Sequence, residues 1–153
     1  MSTPIIWSCK KMNELTASEL YAILKLRSEV FVIEQHCVYL DPDGKDGGNT
    51  WHLCGWLNGE VPVAYARLLA PGVAYTEASI GRVVTNPAYR KDGYGKILMQ
   101  KAIQHTCDLF STATIKIGAQ QYLTEFYNNL GFRVSGDPYI EDGIPHVEML
   151  LSK

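Results

Sequence analysis

The chain has 153 residues, 46% of them hydrophobic and 20% charged, with a net charge of −2. That is the size of one domain, residues 1–153, with enough chain to bury about two-thirds of its surface, and the composition excludes disorder and low complexity. Lysines and arginines are dispersed apart from Lys10-Lys11 and Arg90-Lys91, no apolar run approaches the ~18 residues of a membrane span, and Met1-Ser2-Thr3-Pro4 lacks a basic leader; a soluble, cytoplasmic protein with neither a nucleic-acid nor a membrane partner is expected.

Ile5-Ile6-Trp7-Ser8-Cys9 is short, β-branched and aromatic, and reads as a first strand. Thr16-Ala17-Ser18-Glu19 is a capping box that opens a helix with Leu20, Ile23, Leu24 and Arg27 on one face, and Val30–Gln35 reads as a second short helix or a bent extension. Asp41–Asn49 is turn chemistry throughout. It lacks the third ligand, glycine and closing glutamate of a calcium loop, because Lys45, Asp46 and His52 stand there, so a solvated loop is expected. Trp51–Leu57 and Val61–Leu69 are strand-like runs around Asn58-Gly59, a hairpin signal because both residues accept positive φ, and this pair should form the centre of a sheet. The four cysteines, Cys9, Cys37, Cys54 and Cys107, contain no C-x-x-C pair and read as small reduced core residues; Cys37, between His36 and Val38, is the one to watch for a reactive thiol.

Ala78–Thr85 reads as the next strand, stopped by Pro87. Then comes Arg90-Lys91-Asp92-Gly93-Tyr94-Gly95, with the spacing R-x-x-G-x-G, at the mouth of a helix whose apolar stripe is Leu98, Met99, Ala102, Ile103, Thr106 and Phe110. Glycines let the chain turn sharply and leave backbone N–H groups pointing outward, and a helix N-terminus beside two basic residues is an anion site. Thr114–Gly118 is a strand, Gln120–Leu130 a helix stopped by Gly131, and Phe132–Ser135 and His146–Leu151 are final strands around a loop at 137–145.

The turn is not a P-loop, which would need glycine where Arg90 stands and Ser or Thr where Ile97 stands. It is not a dinucleotide fingerprint either, because Leu98 occupies the third glycine position. With the order β-α-α-β-β-β-α-β-α-β-β, it resembles motif A of the GNAT superfamily of acetyl-CoA-dependent N-acetyltransferases, and Phe126-Tyr127-Asn128-Asn129-Leu130-Gly131-Phe132 resembles that family's motif B. Glu34-Gln35, Gly118-Ala119-Gln120 and Glu141–His146 resemble the ElaA-type subgroup.

The resemblance implies an α/β (α+β) GNAT fold: a mixed, mostly antiparallel sheet of six to seven strands flanked by about four helices. It also implies an enzyme that moves an acetyl group from acetyl-CoA, its co-substrate, to a small-molecule or peptide amine by direct attack in a ternary complex, without a metal. A homodimer is compatible with it, and a CoA-binding sensor that has lost the chemistry is the alternative. Carried over by position, Val83, Val84 and Thr85 offer backbone groups to the pantetheine arm, and Arg90, Lys91, Asp92, Gly93, Tyr94 and Gly95 hold the pyrophosphate. Tyr127 matches the tyrosine near the CoA sulfur, while Ala119 stands where many members have an asparagine. The general base is sought among His146, Glu34, His52 and Glu77, with His146 first and Glu34 next, because a histidine titrates near neutrality.

Overall fold

The structure, a computed structural model, describes residues 4–153. Strand β1 (Ile5–Lys11) leads through a short 3-10 turn to Thr16, whose hydroxyl accepts the Glu19 N–H while the Glu19 carboxylate accepts the Thr16 N–H. This closed capping box starts helix α1 (Ala17–Arg27), which runs on through Ser28–Glu34 in wide turns closed by Gln35 N–H to Val30 C=O and Cys37 N–H to Val32 C=O bonds, five residues apart. The bent extension foreseen here is a π-type continuation, a form that recurs at functional sites.

Strands β2 (Trp51–Leu57), β3 (Val61–Leu69) and β4 (Ser79–Thr85) join β1 in an antiparallel sheet of order β1-β2-β3-β4, with the Asn58-Gly59 hairpin at its centre. Ala64, Ala66 and Leu68 face the long helix α2 (Tyr94–Phe110), whose Leu98, Met99, Ala102 and Ile103 fill that side. Tyr65, Cys54, Trp56 and Val84 face α1 through Ile23, Leu26, Val30 and Phe31. Val63 departs from the alternation and packs on the α2 side.

The second sheet holds β5 (Thr114–Gln120), then helix α3 (Thr124–Asn129) entered by a 3-10 turn, then β6 (Arg133–Val134), β7 (Tyr139–Glu141) and β8 (Ile144–Ser152). Both β5 and the β6–β7 segment pair antiparallel with β8. The expected loop at 137–145 is in fact a hairpin turning at Asp142-Gly143, with φ of 50° and 76°. Its signal was the Asp-Gly pair, whose left-handed tolerance suits such a turn. The mixed, mostly antiparallel α/β architecture matches the GNAT expectation, with the strands split between two sheets. The four cysteines are free, and no described helix is long and apolar enough to cross a membrane.

Candidate active site

The two sheets meet where β4 and β5 begin: Ala78 bridges Ile115 in parallel, and the Lys116 N–H donates to the Ala78 C=O at 2.9 Å. The ladder stops there. Beyond it the strands border a cleft of about 580 Å³, with Val83, Val84 and Thr85 on one wall and Ile117, Gly118 and Ala119 on the other. β4 also carries a bulge. Its register with β3 passes from Tyr65–Val84 to Arg67–Gly81, so Arg82 and Val83 share one opposing residue, and Arg82 takes a φ of 49°. A bulge leaves backbone groups without a ladder partner, so the β4 wall can pair with the amides of an extended ligand.

At the far end of β4, Asn86 accepts the Ala88 N–H at 3.0 Å and starts the 3-10 turn Pro87–Asp92; Gly93, at φ 76°, swings the chain into α2. No side chain caps the first turn of α2, so its leading N–H groups remain for an external acceptor. A Cβ on Gly95 would meet nothing nearer than 3.8 Å, so packing within the protein does not demand glycine there, whereas a phosphate drawn onto the helix mouth would. The residues present therefore fit a CoA pyrophosphate. Arg90 and Gly95 line the cleft, Lys91 and Asp92 are exposed at its margin, and Tyr94 packs on the core. The Arg90 guanidinium is engaged by Glu34, at 2.6 and 3.0 Å to its two carboxylate oxygens. Thus a candidate base and a candidate phosphate ligand hold each other across the mouth.

Tyr127 lines the same cleft from α3, wedged edge-on between Phe126 and Phe132 at ring separations of 5.2 and 5.9 Å. Burial pushes its phenol up to about 12, so the hydroxyl keeps its proton and donates. His146 is 7% exposed on β8. Its Nδ1 lies 2.7 Å from the Ile144 C=O, which can only accept, so Nδ1 carries the proton and Nε2 keeps its lone pair, 3.8 Å from a Glu141 oxygen. The Cys37 Sγ donates to the carbonyls of Gln35 and Asp142 at 3.4 and 3.3 Å, tying the end of the π-type turn to the β7–β8 hairpin. That makes Cys37 a bracing residue in this structure.

A model of the acetyltransferase (GNAT) domain matches residues 57–153. A UPF0039 protein of Synechocystis is 43% identical over 95% of this chain and 94% of its own length, and ElaA of Escherichia coli is 41% identical over 95% of each. The chain belongs to the GNAT acetyltransferase family. Among solved structures, E. coli ElaA superposes with a TM-score of 0.90 at 39% identity, covering 97% of this chain and 100% of that one. An acyl-CoA N-acyltransferase from Pseudomonas aeruginosa superposes with a TM-score of 0.89 at 42% identity, covering 96% and 99%.

In this GNAT protein the loop at 41–49, like the segment at 137–145, is a part that sequence reasoning read wrongly. Asp41 and Asp46 are buried, not solvated, and with Asp43 they interlock with three arginines. Arg27 Nε donates to Asp41 at 2.8 Å and its Nη1 to Asp46 at 2.7 Å, while Arg67 clamps Asp43 bidentately at 2.8 and 2.9 Å and reaches Asp46 at 3.1 Å. Arg82 Nε stands 2.8 Å from Asp41 Oδ1 as an ionic contact without hydrogen-bond alignment. Burial alone would raise the Asp46 carboxyl, but the hydrogen bond from Arg27 and the charges of Arg27 and Arg67 outweigh it and hold it below the usual range. Three carboxylates against three guanidiniums make a neutral block that pins the loop to one end of the cleft, which Asp43, Arg67 and Arg82 line. His52 belongs to this block and not to the cleft: it is fully buried, with Nε2 donating to the Asp46 C=O at 2.9 Å and Nδ1 accepting from the Tyr65 hydroxyl at 2.6 Å. A group locked in that way cannot reach an amine. Among the described residues no three His, Cys, Asp or Glu side chains converge as a metal site.

Proposed function

We propose that the protein is an acetyl-CoA-dependent N-acetyltransferase that joins its two substrates in a ternary complex. The observation that carries this reading is the wedge between β4 and β5: one cleft runs from Arg90 and Gly95, past the β4 bulge, to Tyr127 and His146. Each requirement of amide formation from a thioester then has a residue. The uncapped N-terminus of α2 and Arg90 take the pyrophosphate, and Val83, Val84 and Thr85 offer backbone groups to the pantetheine. Bound there, the co-substrate supplies an activated acetyl carbonyl.

His146 Nε2 takes a proton from the incoming ammonium, and the freed amine attacks the carbonyl carbon. A backbone amide near Val83 faces the carbonyl oxygen as charge grows on it. As the C–S bond breaks, the Tyr127 hydroxyl donates a hydrogen bond to the sulfur, and the second proton of the attacking nitrogen leaves as the amide forms and is taken up by the departing thiolate. With a phenol pKa of about 12 against about 8.5 for a thiol, full proton transfer is uphill, so Tyr127 acts as a hydrogen-bond donor. Glu34, the other candidate base, is paired with Arg90 until a phosphate competes for that guanidinium, and it stands second to His146.

Thiol release measured with acetyl-CoA and a panel of amines tests the reading, alongside calorimetry with CoA. Turnover in which His146→Gln abolishes the rising limb of kcat/KM against pH supports it. CoA binding without release from any amine supports the sensor alternative, and survival of the limb in His146→Gln moves the base elsewhere.

A further inference from the structure

Strand register sorts the second sheet into two chemically different faces. Pairing of Gly118 with Glu148, Gln120 with His146, Tyr139 with His146 and Glu141 with Ile144 places Gly118, Gln120, Tyr139, Glu141, His146 and Glu148 on one face. The opposite face, with Ile115, Ile117, Ala119, Val147 and Met149, is packed into the core. The first face borders the cleft and carries a constriction. A Cβ on Gly118 would stand 2.6 Å from the Tyr139 hydroxyl and 2.9 Å from that of Tyr75, so two phenols close over the glycine and leave no room for even a methyl group. Burial raises both phenols above their usual range, so both remain neutral at physiological pH. The neighbouring His146 is more than nine-tenths buried and lines the cleft, and its ring stacks on Tyr139 at 5.6 Å.

The charges around the cleft do not cancel evenly. Arg90 is spent on Glu34, Arg67 and Arg82 on the buried aspartates, Lys45 lies 3.9 Å from Asp43, and Lys116 lies 3.1 Å from Glu148. Glu141 and Asp142, at the tip of the β7–β8 hairpin, have no lysine or arginine ion-pair partner among the described residues; His146 Nε2 stands 3.8 Å from Glu141. An imidazole lone pair, phenol oxygens and two unspent carboxylates form a set of acceptors, which is the complement of an ammonium group.

We propose that the acceptor is a primary amine carrying a second positive charge, a diamine or polyamine, with its reacting nitrogen at His146 and its distal ammonium at Asp142. Glu141 serves the first nitrogen, because its carboxylate faces the imidazolium that forms when His146 takes the proton. Asp142 is then left for the second charge. The proposal rests on the acetyltransferase reading above, and its test separates the two.

Thiol release from acetyl-CoA is compared for 1,4-diaminobutane, butylamine and 4-aminobutanoate, three chains of one length that differ in the distal group. The expected kcat/KM order is diamine over butylamine by at least tenfold and over the amino acid by at least a hundredfold. In Asp142→Asn the diamine-to-butylamine ratio should fall below about threefold; asparagine tolerates the left-handed turn position that Asp142 occupies, so the hairpin is kept. Equal rates for diamine and butylamine, preference for 4-aminobutanoate, or a lysine-initiated peptide outrunning the diamine tenfold would overturn the proposal and leave the acetyltransferase intact. A diamine preference unchanged in Asp142→Asn would overturn the role of Asp142. CoA binding by calorimetry without thiol release from any of these amines would overturn the proposal, and the acetyltransferase reading falls with it only if a broad panel of other amines also releases no thiol.

Discussion

Glu34 and Arg90 show how one residue pair can set the terms for a ligand. Both side chains are about two-fifths exposed, so solvent screening leaves their bidentate contact worth less than about 1 kcal/mol, yet any phosphate at the helix mouth must share or displace it. Glu34→Gln should therefore tighten CoA by two- to fivefold in calorimetry, and a weakened affinity would show that Glu34 assists the cofactor instead of competing with it. In the proposed reaction Tyr127 is a different case, because it would act only as charge develops. Tyr127→Phe keeps the ring between Phe126 and Phe132 and removes one donor, so kcat should drop about 10²–10³-fold with CoA affinity within a few-fold. Wild-type turnover in that variant would make Tyr127 a packing residue.

The turn that joins β4 to α2 is built from a capped 3-10 segment, one left-handed glycine and a helix whose first amides are uncapped. Its two glycines do different work. Gly93 is required by its φ of 76°, whereas Gly95 sits in ordinary helical backbone with room for a methyl group. Gly95→Ala should keep the melting temperature within about 2 °C, since alanine favours helix and meets no neighbour nearer than 3.8 Å. The same change should weaken CoA by at least about tenfold, because the methyl group would stand where the phosphate approaches in the proposed complex. Stability and affinity measured on one sample separate these effects, and an unchanged Kd would remove the helix mouth from the cofactor site.

At the scale of the molecule, the Arg27–Asp46 block and His52 couple the α1 side to the loop at 41–49, and this coupling sets the response to acid. His52 is held neutral: burial lowers its pKa below the ordinary value of about 6.5, opposed in part by the Asp46 carbonyl. A base whose folded pKa is depressed binds fewer protons folded than unfolded, so stability is full above about 6.5 and declines as the pH falls below it. The slope from one such site is at most ~1.4 kcal/mol per pH unit. Asp43 and Asp46 are shifted down, so their contribution is present above about 3.9 and is lost only at lower pH, as each is protonated through its folded pKa. Urea unfolding should therefore weaken in two stages, and His52→Gln should flatten the first stage, which begins below about pH 6.5. A first stage that persists in that variant would assign it to another group.

Local signals determined most of the elements and the glycine turn that opens α2. Thr16-x-x-Glu19, Asn58-Gly59 and Gly131 fix ends and turns by backbone chemistry confined to a few residues, and the α2 stripe fixes which face is buried. R-x-x-G-x-G was legible for the same reason, since a turn, a helix mouth and two cations are contiguous in the chain. The β7 strand was within reach too, through Asp142-Gly143. Only the tertiary structure decided the fate of the charges. Asp41, Asp43 and Asp46 look like any solvated acidic loop until α1 and β3 bring Arg27 and Arg67 against them, and a burial of ions that depends on partners 14 to 24 residues away leaves no local trace. The same holds for Glu34 on Arg90, 56 residues apart, and for the hydroxyls of Tyr75 and Tyr139 meeting over Gly118. Those meetings depend on sheet register and on the wedge between β4 and β5, which are properties of the assembled chain.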